Sequence, residues 1–409
     1  MPLHSGDPAR NRANIAGGSV QRLFSIQVMR GLAAFSVVVF HAAHYQRAIH
    51  GDASFLVWFK WGGGLGVTAF FVISGFLMAS LARSSSASTF ALHRLTRIYP
   101  VYWIAVLLAA SACFLAWYPL RHDADYLPDL FGMLTRDGTT GFFTRSILVP
   151  ARFSDTPLGV EWTLSYELAF YAALTLIVAV GLSSRLLYVA VVWLIAIIAA
   201  SVIAPGIHNN YVFPSPATIF FTSSNYGFIF GIFVYAAYAR FPGRFALPAL
   251  FLGTALVYQV LTAGYSYGMI QFSLGIALFI FAAVQAEAGP MQMFRGSWFA
   301  LVRKLGDWSY ALYLCHVTTM VLALKFLGHA FSSPVTFIAI VLAAVLVSAP
   351  LGELDIWLYR RLKRAITYKK SALREPRLDT IAAAHALTQG AITQAAMPAS
   401  SSDLRQIKG

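Results

Sequence analysis

The chain alternates between long apolar stretches and short polar connections. Most apolar stretches are roughly twenty residues long, which is the length that a helix needs to cross ~30 Å of hydrocarbon. The pattern predicts an all-α fold, a polytopic transmembrane helix bundle of about ten spans. The predicted spans are residues 25–45, 64–82, 100–118, 163–181, 187–205, 217–237, 245–263, 265–285, 305–326 and 335–355. The span at 217–237 is half polar and therefore needs protein neighbours or a cavity on one face.

Composition and charge agree with a lipid bilayer as the partner. Of the 409 residues, 58% are hydrophobic and 11% are charged, whereas a soluble protein carries about 25% charged residues. A net charge of +14 would suit nucleic acid, but the basic residues lie in short loops and in the C-terminal tail. This distribution is typical of a membrane protein and argues against a nucleic-acid partner.

The same basic residues predict the topology. With the N-terminus inside, the inside segments carry more than twice as many Lys and Arg residues as the outside segments. The positive-inside rule then places both termini in the cytoplasm and the long loop 119–162 outside the inner (plasma) membrane. A long loop in a compact protein is usually functional or disordered, and this one is placed to help bind an acceptor.

Three segments follow from this reading. Residues 1–22 form a cytoplasmic N-terminal segment, residues 23–364 form the transmembrane domain, and residues 365–409 form a tail. The tail is rich in Ala, Gln and Ser, a composition that predicts disorder. Cys113 and Cys315 lie inside apolar spans and form no disulfide framework.

The first span carries two ionisable residues on one face. Arg30 and His41 are eleven residues apart, so they share a helix face and lie about 16 Å apart along the axis. Arg30 is near the cytoplasmic end and His41 near the outer end. The alternative to a functional pair is an Arg that snorkels and a His that is bonded to a neighbouring helix.

Two further arginines precede the third span on the inside. Arg94 and Arg97 are helical neighbours, and Pro100 begins the predicted span. Ordinary positive-inside charge explains them. A phosphate clamp explains them as well, because guanidinium groups suit phosphate oxygens.

The fourth span carries a carboxylate. Glu167 is predicted about one turn below the outer surface, at the depth of His41, so that the two side chains face each other. Such pairing would offset the cost of a carboxylate in the membrane and would orient a catalytic base. Glu161 and Trp162 are expected at the interface.

The ninth span carries a polar stripe. Ser309, Tyr313 and His316 fall on one helix face, which indicates either structural hydrogen bonds or a lined cavity. In the second span, Ser74 and Gly75 are small enough to allow close helix approach. The sequence has no phosphate-binding loop, dinucleotide fingerprint or metal-ligand cluster, so no bound metal or nucleotide cofactor is expected.

Five segments occur in the order SIQVMRGLAAFSVVVFHA, GVTAFFVISGFLM, HRLTRIYPVYW, VEWTLSYELAFY and LGDWSYALYLCHV. Together they make the chain similar to the acyltransferase 3 family of integral membrane O-acyltransferases. The resemblance covers roughly residues 22–360, and the combination of Gln27 with Trp-Thr-Leu-x-Tyr-Glu is similar to the branch that acetylates bacterial exopolysaccharides. Gln27 stands where many members have Asp, and Glu353 lacks the proline that often follows two residues later.

The resemblance implies residue roles. The family's motifs fall on Arg30 with His41, on Arg94 with Arg97, on Trp162 with Glu167, and on Tyr313 with His316. They imply catalytic roles for His41, Glu167 and His316, donor binding by Arg30, Arg94 and Arg97, and acceptor contacts by Trp162, Ser309 and Tyr313.

The implied reaction moves an acyl group, expected to be acetyl, from cytoplasmic acyl-CoA to a hydroxyl of an exported glycan. Acyl-CoA is then a co-substrate rather than a bound cofactor. Direct transfer and a covalent acyl-histidine relay both fit. The competing function is a transporter or flippase of a lipid-linked sugar, which accounts for the spans but not for inside arginines aligned with an outside histidine.

Overall fold

A computed structural model describes residues 23–50, 57, 59–117, 148, 158–210, 212, 214–263, 268–288, 297–327 and 332–372. All regular elements within these ranges are helical, which confirms the predicted fold class. The longer helices are α1 (Phe24–His50), α2 (Gly62–Ala82), α3 (Ala87–Trp117), α4 (Trp162–Ala179), α5 (Leu186–Ile203), α6 (Asn225–Arg240), α7 (Ala246–Ala263), α8 (Met269–Gln285), α9 (Ser297–Asp307), α10 (Ser309–Leu327) and α11 (Ser333–Ala372).

In the described part of the chain, eight helices are long and apolar enough to cross a bilayer, namely α1 to α5, α7, α10 and α11. The helices α6 and α8 are shorter, with 16 and 17 residues. Together these ten helices fit the predicted number of about ten spans. The protein is a multi-pass membrane protein.

Close contact between α2 and α6 fixes the centre of the bundle. A Cβ atom on Gly75 would collide with the carbonyl of Phe228, and one on Gly231 would collide with the carbonyl of Val72. The absence of side chains at these two positions lets the backbones approach, as the small residues of the second span predict. Helix α2 is consequently held in a fixed position, from which its other faces contribute to the site.

The half-polar span is shorter than predicted. Helix α6 begins at Asn225 rather than near residue 217, because the preceding polar residues form their own turn. The Asn225 side-chain amide donates to the carbonyl oxygens of Ile219 at 2.7 Å and Thr222 at 3.1 Å. Thr222 and Asn225 are both buried, which confirms that this segment has protein neighbours.

Two other boundaries differ from the prediction. Helix α3 begins at Ala87, so that Arg94 and Arg97 lie inside it and Pro100 is an internal proline. Internal prolines are tolerated in membrane helices where neighbours satisfy the freed backbone groups. The predicted span 305–326 is divided at Trp308, which separates α9 from α10.

Contacts divide the chain into two units, residues 1–356 and 357–409. The described part of the second unit is the end of α11, which continues to Ala372 and so extends beyond the predicted domain end at residue 364. The predicted N-terminal segment 1–22, the tail from residue 373 and most of the loop 119–162 lie outside the described residues.

Candidate active site

Two cavities inside the first unit are lined by most of the residues that the sequence singled out, whereas His316 lines neither of them. The inner cavity, named for the predicted orientation, is lined by α1, α2, α3, α4 and α10 and contains Arg30, Arg94, Arg97 and Glu167. The outer cavity contains His41. The structure therefore places Arg30 and His41 of α1 in different cavities, with the three predicted donor-site arginines gathered in one of them.

His41 forms a hydrogen-bonded pair with His316. The Nδ1 atom of His41 lies 3.1 Å from Nε2 of His316, and the two rings are 4.9 Å apart. His316 is fully buried, whereas His41 is half-buried and borders the outer cavity. A pair formed by α1 and α10 is what a base and its orienting partner require.

The backbone contacts of the pair assign its protons. The Nδ1 atom of His316 lies 3.0 Å from the carbonyl oxygen of Leu312, so this nitrogen carries hydrogen and Nε2 of the neutral ring accepts. The Nδ1 atom of His41 also lies 3.1 Å from the carbonyl of Val37. Both neighbours of that nitrogen are acceptors, so His41 donates from Nδ1. Its Nε2 is left with the lone pair and can accept a proton.

The predicted pairing of His41 with Glu167 is wrong. The reason is the depth of α4, since the residues just before this helix are buried rather than at the surface. Leu158 and Glu161 are each 1% exposed. Helix α4 therefore begins inside the protein, and Glu167, about one and a half turns further along, lines the inner cavity rather than the outer one.

Glu167 has its own hydrogen-bond donors. Its carboxylate accepts from the hydroxyl of Ser74 at 3.1 Å and from that of Tyr171 at 3.0 Å. Tyr171 is one helical turn after Glu167, and its spacing of four residues is the signal in the sequence that we missed. These bonds lower the cost of a carboxylate inside the bundle.

The three arginines have different partners. Arg97 donates from Nη1 to both oxygens of Asp355 at 2.6 Å, and Arg30 donates to Ser309 Oγ at 2.9 Å. Arg94 is 9% exposed and stacks over the ring of Tyr171. The Nε of Arg94 lacks a hydrogen-bond acceptor among the residues that the structure describes. Arg94 therefore keeps a guanidinium donor that no described residue uses.

The predicted stripe on α10 lies along one face of the helix, and its members make hydrogen bonds to α1 and to the segment before α4. Ser309 contacts Arg30, and His316 contacts His41. Between them, the Tyr313 hydroxyl donates to the carbonyl of Val160 at 2.7 Å and lies 2.6 Å from Thr163 Oγ1. The stripe thus connects the arginine end of α1 with its histidine end.

Glu161 and Trp162, at the start of α4, are expected at the membrane interface, but both have specific surroundings inside the protein. Trp162 lines the outer cavity beside His41, and its predicted contact with an acceptor stays a prediction. Glu161 accepts from the backbone N–H groups of Leu158 at 2.5 Å and Val160 at 3.0 Å. It therefore fixes the backbone that receives the Tyr313 bond, a role that the sequence did not indicate.

Comparison with known proteins identifies the family of this chain. Residues 23–353 match the family described as acyltransferase domain, acyltransferase 3. The exopolysaccharide production protein ExoZ of Rhizobium meliloti (strain 1021) is 30% identical over 302 residues, which cover 70% of this chain and 86% of that protein. The acyltransferase MdmB of Streptomyces mycarofaciens is 27% identical over 323 residues, or 73% and 79% of the two chains.

A shorter match joins these. Nodulation protein 10 of Rhizobium leguminosarum bv. viciae is 29% identical over 177 residues, which are 38% of this chain and 44% of that protein. No solved structure gives a significant match. The family match begins at the first described residue, 23, and ends at residue 353, which lies within α11. The chain belongs to the acyltransferase 3 family and is a membrane-embedded O-acyltransferase.

Proposed function

We propose that the protein transfers an acyl group, in the first instance acetyl, from cytoplasmic acyl-CoA to a hydroxyl of an exported or cell-surface glycan. The observation that carries the proposal is the arrangement along α1. One helix presents Arg30 to a cavity with two further arginines and His41 to a second cavity. A donor with phosphates and an acceptor with a hydroxyl need these two kinds of group.

The donor would approach through the inner cavity. Charge-assisted hydrogen bonds between guanidinium groups and phosphate oxygens are among the strong ones, and Arg94 has an unused donor there. Arg30, which is held by Ser309, adds a second positive charge. Arg97 contributes less to an anion because Asp355 already neutralises it.

The acceptor would approach through the outer cavity. His41 Nε2 removes the proton from the attacking sugar hydroxyl, whose oxygen forms a bond to the thioester carbonyl carbon. The carbon–sulfur bond then breaks, and the proton on His41 passes to the departing CoA thiolate. His316 holds the ring of His41 and accepts the hydrogen on its Nδ1 throughout, so the products are the glycan ester and CoA.

The acceptor class rests on the relatives. ExoZ is named as an exopolysaccharide production protein, which supports a glycan as acceptor. The outer cavity is lined by aromatic and polar side chains, namely Phe40, Trp61, Trp162, Thr68, Ser224 and Ser273. Aromatic faces with a few hydroxyl groups suit a sugar, which has both apolar faces and hydrogen-bonding edges.

The test is transfer by purified protein in lipid vesicles, with acetyl-labelled acetyl-CoA and a panel of glycans. We expect the label to appear on one glycan and CoA to be released only when that glycan is present. Movement of a glycan across the membrane without CoA release would contradict the proposal and would favour the transporter alternative.

A further inference from the structure

The inner and outer cavities share a wall of three side chains. Val67, Phe71 and Tyr313 border both cavities. Arg30 and Glu167 border the inner cavity, whereas His41 borders the outer one. Any group that moves from the arginines to His41 through these cavities has to pass between the three side chains.

Two members of this wall are fixed by their neighbours. Phe71 is 2% exposed and stacks on Phe228 with ring centres 4.4 Å apart. Tyr313 is 8% exposed and is held by the hydrogen bonds to Val160 and Thr163. Moving either ring would break buried contacts, so neither is free to swing aside.

The third member is different. Val67 is half-buried and lies one helical turn before Phe71 on α2. A short branched side chain has no hydrogen bond to lose, so its size alone decides how wide the passage is at this point. Gly63 and Gly64, one turn earlier on the same helix, border the outer cavity, and the ring of Phe40 packs against Gly63.

The inner cavity also has a small volume. Its volume is about 130 Å³, against about 340 Å³ for the outer cavity. Cavities that enclose drug-sized ligands measure about 300–1,000 Å³. The inner cavity is therefore smaller than a cavity that encloses a drug-sized ligand, so it can take a small group such as an acyl chain but not a whole nucleotide.

We propose that Val67, with Phe71 and Tyr313, forms a selectivity wall that admits the acyl end of the donor to His41 and limits how large the acyl group can be. The proposal rests on the proposed function and adds its specificity-determining residue. The wall keeps the nucleotide on the arginine side and the glycan on the histidine side, so that the thioester carbon and the sugar hydroxyl meet at the wall.

Substitution of Val67 tests the wall. Val67→Ala removes two methyl groups and should widen the passage, whereas Val67→Phe should narrow it. One methylene in an apolar pocket changes discrimination by about 10–200-fold. We expect Val67→Ala to raise kcat/KM for butyryl-CoA relative to acetyl-CoA by about tenfold or more. Val67→Phe should lower transfer from all donors.

The matched control is Val72→Ala. It makes the same change on the same helix, but Val72 is fully buried and borders neither cavity, so the donor preference should stay that of the wild type. An unchanged butyryl-to-acetyl ratio in an active Val67→Ala protein would overturn the wall, as would an equal change in Val72→Ala. Absence of acyl transfer by the wild-type protein with every acyl-CoA would instead overturn the proposed function.

Discussion

Among single residues, His316 is the partner that holds the ring of His41 in the proposed mechanism. Replacing His316 with Ala should lower kcat by about tenfold or more because the His41 ring loses the group that fixes its proton. His316→Gln should recover part of that activity, since its amide oxygen can accept from Nδ1. The KM for acyl-CoA should stay unchanged in both variants, and kinetics over a range of donor concentrations measures this split.

A nearby histidine supplies the control. His44 lies one turn after His41 on α1, is exposed, and stacks on Phe40. His44→Ala should retain nearly all activity. If it loses as much activity as His316→Ala, the special role of the buried pair is not supported.

Arg94 is proposed to bind a phosphate group of acyl-CoA. Hydrogen bonds to charged groups contribute about 1.5–3 kcal/mol, so Arg94→Gln should weaken acyl-CoA binding by about tenfold or more. The difference should shrink at high salt, because screening already weakens the wild-type contact. Titration of acyl-CoA into purified protein at two ionic strengths measures both effects.

Arg83→Gln is the control for Arg94. Arg83 follows α2, stacks over Tyr235 and does not line the inner cavity. The Arg83→Gln substitution removes one positive charge, as Arg94→Gln does, but it leaves the arginines of the inner cavity in place. Equal weakening by both substitutions would mean that general positive charge, rather than a clamp at Arg94, attracts the donor.

At the scale of helices, the ion pair between Arg97 and Asp355 connects α3 with α11 within the first unit. Asp355 is 1% exposed and Arg97 is 21% exposed. Removing one partner of a fully buried pair costs about 3–5 kcal/mol because the other charge is left unpaired, and the partial exposure of Arg97 places this pair at the lower end, about 3 kcal/mol. Asp355→Ala should therefore lower the free energy of unfolding by about this amount. Denaturation of the purified protein in detergent measures it.

An exposed pair on the same helix gives the comparison. Glu353, two residues earlier, pairs with Lys304, and its side chain is 52% exposed. Exposed pairs contribute about 0–1 kcal/mol, so Glu353→Ala should cost much less than Asp355→Ala. Similar losses for the two variants would show that the buried pair does not stabilise the contact of α3 with α11.

Helical periodicity explains which of these contacts the sequence predicts. The face of Arg30 and His41 and the stripe from Ser309 to His316 follow from 3.6 residues per turn, and both are present. The partner of Glu167 does not follow from periodicity. It depends on how deep α4 begins, which the buried residues before Trp162 decide through tertiary packing. The pairing of Arg97 with Asp355, 258 residues apart, likewise needs the assembled bundle.

At the scale of the whole molecule, the predicted topology can be tested directly. Gly138 lies in the loop that is predicted outside. In a variant without Cys113 and Cys315, a cysteine at position 138 should react with a membrane-impermeant maleimide added to intact cells, and a cysteine in the C-terminal tail should not. Reaction of position 138 only after the cytoplasmic face is exposed would reverse the orientation of both cavities.

His41 is proposed to act as the base for acyl transfer across the bundle, from a donor on one side to an acceptor on the other. The most direct measurement uses sealed vesicles of uniform orientation, with labelled acetyl-CoA on the cytoplasmic side and the acceptor glycan on the opposite side. Wild-type protein should release CoA on the first side and form labelled glycan on the second. His41→Ala should lose about 10²–10⁴-fold of this transfer while still binding acyl-CoA. Near wild-type transfer by a normally folded His41→Ala protein would contradict the account.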